Sequence, residues 1–539
     1  MPSQGNKGEK KFAGKNYSTL KMAGNQRERW GSRIGVILAV AGSAIGLGNF
    51  LRFPVQAVKN GGGAFIIPYL VSFILLGIPL MWIEWTLGRF GGRFGHGTAP
   101  GMFHNIANKN RFIKYFGVIG IFGPIAIFTY YTYIESWLLG YSFFSLTGKL
   151  SACQDQSLMV AFLKGYQGIE KNQFFSSLVP AYTFFILTFA INLLTVAGGI
   201  RKGIEKVCKY GLPVLFILGI VLMIRVLTLQ SMYPEHPDWT PLMGLGFLWN
   251  PDFSSLLDAK VWLAAAGQIF FTLSVGIGVI LTYASYLKKT DDVILSGLTA
   301  AATNEWVEVV LGGSIAVTSA FLFFGPQGIK TVAESGAFNL GFVAMPLALN
   351  HIPYGAIFGF FWFALLFIAG VTSSISLAQP AIAFLEDEFN IDRKKAVVIF
   401  GCVTFVLCNM TVFLLGKGFL DEFDFWGGTF ALVLFGTIEA ILFSWVFGID
   451  RAWDEMHAGS DLKLPHFYRF IIRYITPLFL IVILVSWFIR EAKDVIMMKN
   501  VPSEILPYII FTRFVLFALF VSIAWLVHIA WKRKGKKVV

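Results

Sequence analysis

"AGSAIGLGNFLRFP" occupies residues 41–54 and places three glycines, a serine, an asparagine and an arginine inside a long apolar run. Glycine in a helix interior costs roughly 0.5–1 kcal/mol relative to alanine, so a cluster in a membrane-crossing segment needs a reason. One reason is packing: small residues let membrane helices approach closely, and Gly42-x3-Gly46 fits that pattern. The other is that the helix unwinds there. Composition alone leaves both open, and the rest of the chain has to choose.

The chain has 539 residues, 56% hydrophobic and only 14% charged, with a mean hydropathy of +0.66. Soluble domains carry about 25% charged and about 45–50% apolar residues. Repeated apolar runs of 20 or more residues therefore predict an all-α integral membrane protein. The net charge of +13 would suggest nucleic acid in a soluble protein. Here Lys and Arg collect in the tails and in alternate short loops, which holds those parts on the cytoplasmic side. The tail "WKRKGKK" (531–537) directly follows an apolar segment and reads as a cap facing anionic lipid, not as a nucleic-acid site. Residues 1–26 are polar, basic and Gly-rich, expected to be disordered, and lack the apolar core of a signal peptide. Of the four cysteines, Cys208, Cys402 and Cys408 lie in or beside apolar segments and Cys153 stands alone in an outer loop. Neither a disulfide nor a metal cluster is expected.

Twelve spanning segments are expected, near 33–58, 63–90, 111–146, 177–199, 205–229, 259–285, 291–323, 355–386, 394–416, 424–449, 466–490 and 507–531. An even number of spans, with both termini cytoplasmic in a plasma (inner) membrane, satisfies the alternation of basic loops. The sixth segment breaks the helix rules as the first does: "GQIFFTLSVGIGVILTYASY" (267–286) has Gly276 and Gly278 beside Thr272 and Ser274. Interruptions at positions one and six of twelve suggest two five-helix repeats, the pattern that points to a transporter binding site. The expected organisation is a basic tail (1–26), a core of repeats 27–231 and 259–450, two accessory helices (451–531) and a second basic tail (532–539).

Irregular backbone at membrane depth is tolerated where it is buried in protein or lines a cavity. An unwound first segment near 43–47 frees carbonyl oxygens, which suit a hard cation such as Na⁺, and leaves a half-helix N-terminus that favours a carboxylate. Asn49, Thr272, Asn304 and the run "AGVTSSIS" (369–376) add side-chain oxygens in otherwise apolar segments. Each alone is more often an interhelical hydrogen bond; together with two broken segments they favour an ion cage. Intramembrane charges are functional suspects: Arg52 and Asp424 toward the outside, Arg27 and Asp387 toward the cytoplasm, and the deeper Glu84, Glu135, Glu305 and Glu308.

These residues carry a family resemblance. "RERWGSRIGVILAVAGSAIGLGNFLRFP" (27–54), "NGGGAFIIPYL" (60–70), "IPLMWIEWTLGR" (78–89), "YYTYIESW" (130–137), "GQIFFTLSVGIG" (267–278), "LTYASY" (281–286), "LSGLTAAATNE" (295–305), "TSSIS" (372–376), "AFLEDE" (383–388) and "LDEFDFWGGT" (420–429) resemble the neurotransmitter:sodium symporter family. The likeness is greatest to its bacterial amino-acid transporters of the LeuT type, and it runs in order over nearly the whole chain. It implies twelve transmembrane helices in the LeuT fold, a 5+5 inverted repeat with discontinuous helices 1 and 6.

The resemblance also implies roles. One sodium site takes the Ala44 carbonyl, Asn49, Thr272, Asn304 and the substrate carboxylate. A second takes the carbonyls of Gly42, Ile45 and Ala369 with the hydroxyls of Thr372 and Ser373. The substrate pocket takes Ser43, Ala44, Leu47 and Gly48 from the first segment and Ile127 and Tyr131 from the third. The sixth adds Phe271, Thr272, Ser274 and Ile277, and the eighth Ser373 and Leu377. Tyr131 and Phe271 form an outer lid, Arg52 with Asp424 the outer gate and Arg27 with Asp387 the inner one.

Monoamine carriers of this family place an aspartate at Gly46, so glycine there implies a substrate that brings its own carboxylate. Chloride-dependent relatives have serine at Glu308, so its carboxylate implies chloride independence. Surrounded by Tyr69, Gln268 and Asn304, that carboxylate could also exchange protons, depending on its burial. Bacterial relatives often carry asparagine at Ser43 and an aromatic residue at Ile277, which leaves substrate size open.

The expectation is a sodium-coupled symporter importing a neutral, hydrophobic amino acid (aliphatic or aromatic) by alternating access, with no organic cofactor. The alternatives are the same fold carrying another small carboxylated solute, or a non-transporting amino-acid sensor. An enzyme is disfavoured, because the seven histidines are scattered and none pairs at metal-ligand spacing. A channel would need a pore with weak multi-site binding instead of gates on both sides of one site. The expected partners are the amino acid, sodium and the lipid bilayer, and a homodimer is compatible with the sequence.

Overall fold

The computed structural model describes residues 28–107, 110, 112–231, 233–251, 253–499 and 501–536, with side chains through 533. The first basic tail and Arg27 therefore lie outside the described residues, as do the last three residues of the second tail. Among the described residues, β structure is limited to one isolated bridge between Gly62 and Pro251.

Among the described residues, ten helices are long and apolar enough to cross a membrane. The second to fifth spans are Gly63–Gly92, Ile113–Leu146, Val179–Ala197 and Ile200–Leu227; the seventh to tenth are Ile294–Glu334, Gly355–Phe389, Arg393–Phe413 and Phe419–Val446. Phe467–Arg490 and Leu506–Arg533 form the eleventh and twelfth. The first span is a bent pair, Arg33–Ala44 and Gly48–Lys59, turned by 46°.

By length and composition the count stops at eleven, not the twelve expected. The sixth segment is split into Ala259–Thr272, of 14 residues, and Val279–Ala284, of 6. Neither piece alone approaches the ~20 residues a bilayer requires. The seventh span errs the other way at 41 residues. Gly325, at φ 69°, turns the chain there and the Trp239 ring packs where its side chain would stand. The sequence places the end of that span at 323, just short of this turn.

The spans form layers. Apolar windows in the third and seventh are 83% buried, whereas those of the eleventh and twelfth are only 28% and 22% buried. The last two therefore lie on the outside of the bundle. Arg513 of the twelfth span binds Glu422 of the tenth at 2.8 and 3.0 Å.

The inner spans position the two breaks. At Ile45, φ −69° and ψ 101° leave the helix, which resumes as a π-helical turn over Gly48–Arg52. The break in the sixth segment, Leu273–Gly278, holds Ser274 at φ 53°, Gly276 at φ 74° and Gly278 at φ 88°. Left-handed backbone is routine for glycine but costs a serine of order 1–3 kcal/mol, the kind of strain that clusters at functional sites. Glu84 of the second span accepts a hydrogen bond from Gly276 N–H at 2.5 Å, satisfying a donor that the break frees. The entry to the first span is tied down too. Glu205 accepts from Gly31 N–H at 2.7 Å and from the Ser32 hydroxyl at 3.0 Å. Arg33 pairs with Asp292 at 3.0 Å and Asp461 at 2.7 Å.

Candidate functional site

The two breaks face a cavity of about 60 Å³. At the roughly 10–15 Å³ that one water needs, this is room for about four to six waters. Every residue that the sequence assigns to the substrate pocket lines it: Ser43, Ala44, Leu47, Gly48, Ile127, Tyr131, Phe271, Thr272, Ser274, Ile277, Ser373 and Leu377. Gly46, Tyr130, Ser376, Gly428 and Leu432 line it as well. Ser376 was within reach of sequence reasoning, since it lies three residues after Ser373 on one helical face. Gly428 and Leu432 carry no such signal.

At the half-helix end, Leu47 N–H donates to the Tyr131 hydroxyl at 3.3 Å and Gly46 N–H to Asn49 Oδ1 at 2.8 Å. A Cβ on Gly46 would stand 3.0 Å from both the Tyr131 and Ser373 hydroxyls. Below them, Ser43 and Ser376 share a hydrogen bond at 2.7 Å, and the Ser274 hydroxyl donates to the Ser43 carbonyl at 3.0 Å. Phe271 closes the cavity, its ring approaching within 2.9 Å of where a Cβ on Gly48 would stand. Only glycine leaves the ring that space.

Two oxygen clusters flank the cavity. In one, the Ser373 hydroxyl faces four carbonyl oxygens, those of Ala369 at 3.0 Å, Ser43 at 3.2 Å, and Gly42 and Ile45 at 3.4 Å. The Thr372 hydroxyl lies 3.1 Å from the Ala369 carbonyl. A single hydroxyl proton cannot satisfy four acceptors, so the converging lone pairs make a cation-attracting spot of hard oxygen donors. In the other, Asn49 Nδ2 donates to Asn304 Oδ1 at 2.9 Å, and Asn304 Nδ2 donates to the Thr272 hydroxyl at 3.0 Å.

Glu308 lies against this second cluster, accepting from Gln268 at 2.7 Å, from Asn49 at 3.1 Å and from the Thr272 hydroxyl. It is fully buried. Tyr69, expected beside it, is fully buried, with its hydroxyl directed at Glu305 and Glu308.

The gate residues divide. The Arg52 guanidinium lies over the Phe271 ring at 4.1 Å, and Asp424 accepts from the Tyr130 hydroxyl at 2.5 Å. Both acidic and basic partners of the outer gate thus sit at the mouth of the cavity without a direct ion pair. On the other side, Asp387 ends the eighth span, but its expected partner Arg27 is outside the described residues.

With this geometry in hand, comparison with known proteins decides the family. The model of the sodium:neurotransmitter symporter family matches residues 27–161 and 159–532. The chain belongs to the sodium:neurotransmitter symporter family. It is 30% identical to the uncharacterized sodium-dependent transporter MJ1319 of Methanocaldococcus jannaschii, over 84% of this chain and 89% of that one. It is 25% identical to the sodium-dependent nutrient amino acid transporter 1 of Drosophila melanogaster, over 85% of this chain and 77% of that protein. Among solved structures, MhsT in complex with L-phenylalanine superposes with a TM-score of 0.72 at 30% identity, covering 86% of this chain and all of MhsT. As a member of the sodium:neurotransmitter symporter family with the LeuT fold, the chain is a multi-pass, sodium-dependent transporter and not an enzyme.

Proposed function

We propose that the protein imports a neutral, hydrophobic amino acid across the cell membrane with two sodium ions, by alternating access. The observation that carries this reading is the pair of oxygen clusters on either side of one cavity. The Gly42, Ile45, Ala369, Thr372 and Ser373 oxygens suit one ion, and the Ala44 carbonyl with Asn49, Thr272 and Asn304 suits the other. The Leu47 N–H and the Tyr131 hydroxyl suit a carboxylate that completes the first cage. Apolar Ile127, Ile277, Leu377 and Leu432 suit a hydrophobic side chain.

The transport core consists of the repeats 27–231 and 259–450, with the helices of 451–531 accessory and both termini cytoplasmic. Phe271 and Tyr131 act as lid, Arg52 with Asp424 and Arg27 with Asp387 as the two gates. Glu308, when ionised, supplies the negative charge that replaces chloride, and it takes part in proton exchange by taking up a proton when that charge is not needed.

Each sodium charge moving inward releases about 2.3 kcal/mol per 100 mV. Two ions supply about 4.6 kcal/mol, enough for roughly thousandfold accumulation before any concentration gradient is counted. The liganded MhsT structure and the nutrient amino acid transporter favour an amino acid over another carboxylated solute. The test is uptake of radiolabelled L-phenylalanine and L-leucine into proteoliposomes with and without a sodium gradient. Sodium-dependent binding without uptake would instead favour the sensor reading.

A further inference from the structure

Glu135 is a fully buried carboxylate that neither sodium cluster uses. It sits in the third span one helical turn beyond Tyr131, on the same face. Its Oε2 accepts from Asn192 Nδ2 of the fourth span at 3.0 Å, and Asn192 Oδ1 accepts from the Ser374 hydroxyl of the eighth span at 2.9 Å. Asn192 and Ser374 are themselves 1% and 0% exposed. With Glu135 ionised the amide can only donate to it, which turns the Asn192 oxygen toward the Ser374 hydroxyl.

The same carboxylate side chain packs on the eighth span a second time: a Cβ on Gly370 would stand 2.9 Å from Glu135 Cγ. Gly370 and Ser374 are four residues apart and share one stripe of that helix. Ala369 and Ser373, also four apart, form the adjacent stripe, whose oxygens converge with those of Gly42 and Ile45. A charge at this depth is costly and is usually kept for a task.

We propose that Glu135, acting through Asn192 and Ser374, sets the rotation and height of the eighth span against the third and fourth and so fixes the sodium-binding stripe. It is a positioning residue, one turn from Tyr131, which places the substrate contact and the sodium face on one rigid wall. The inference rests on the sodium reading of the Ser373 cluster given above.

The test is equilibrium binding of sodium-22 to the full-length protein in lipid nanodiscs. The unchanged chain binds saturably. Ser374→Ala raises the half-saturating sodium concentration about fivefold, the equivalent of roughly 1 kcal/mol for one hydrogen bond, with the same maximum bound. Glu135→Leu, which strands the Asn192 amide, raises it more than tenfold. Glu135→Gln, whose side-chain oxygen still accepts from Asn192, stays within twofold. A folding defect would lower the maximum bound instead of moving the midpoint, and Ser374→Ala decides the matter if Glu135→Leu does not fold. Midpoints within twofold for Ser374→Ala, or a Glu135→Gln effect as large as that of Glu135→Leu, overturn the proposal. Absence of saturable sodium binding by the unchanged chain removes the sodium reading itself, and the proposal with it.

Discussion

Replacing Gly46 by aspartate tests whether the substrate's own carboxylate belongs at the first break. A Cβ at Gly46 would stand 3.0 Å from the Tyr131 and Ser373 hydroxyls, so an aspartate would bring a fixed negative charge to the spot proposed for the substrate carboxylate. Two such charges about 4 Å apart repel by about 4 kcal/mol at an effective dielectric constant of 20, roughly a thousandfold in affinity. Gly46→Ala adds the same Cβ without the charge and isolates the steric part, since the neighbouring hydroxyls must then give by a few tenths of an ångström. The assay is scintillation-proximity binding of L-phenylalanine in saturating sodium, with sodium-22 binding followed in parallel. Gly46→Asp loses at least a hundredfold more L-phenylalanine affinity than Gly46→Ala while still binding sodium. An aspartate variant that binds L-phenylalanine within tenfold of the alanine variant refutes the placement of the carboxylate.

Three further outcomes follow from the same geometry. Thr372→Ala/Ser373→Ala removes both side-chain hydroxyls from the Ala369 cluster and abolishes sodium-stimulated uptake, measured against an unchanged level of protein in the liposomes. Tyr131→Phe removes a hydroxyl proposed to bond a charged group; at about 1.5–3 kcal/mol per such bond, L-phenylalanine binding weakens roughly ten- to hundredfold in equilibrium titration. Glu308→Ser leaves the Gln268, Asn49 and Thr272 donors facing a vacated acceptor. Uptake by this variant requires chloride, and it falls when chloride is exchanged for gluconate, whereas the unchanged chain is indifferent to that exchange.

Much of the site was legible because membrane depth makes polar residues and glycines conspicuous. The glycines of 41–54 and 267–278 marked both breaks, and the pocket residues named from the resemblance all line one cavity. What stayed hidden was what no residue type announces. Gly428 and Leu432 reach the cavity from the tenth span, but a glycine and a leucine in an apolar helix look like any packing surface. The left-handed Ser274 was equally silent, because nothing in a serine between Leu273 and Val275 announces a φ of 53° or a bond to the Ser43 carbonyl. The sixth segment keeps a count by length and composition at eleven for a related reason. Hydropathy is continuous there, while the backbone is divided between a 14-residue and a 6-residue helix. Arg52 illustrates a different gap. Its charge suggested a pair with Asp424, but nothing in the sequence announced that Arg52 also lies over the Phe271 ring or that Asp424 also accepts from the Tyr130 hydroxyl.

The central claim is that sodium movement drives amino-acid accumulation through this one cavity. Its most direct test is uptake of radiolabelled L-phenylalanine and L-leucine into proteoliposomes loaded with potassium and diluted into sodium or into choline, with a valinomycin-set negative interior in both. Accumulation far above equilibrium in sodium alone, lost in Thr372→Ala/Ser373→Ala, is the predicted result. Equal uptake of both amino acids in sodium and in choline would contradict it.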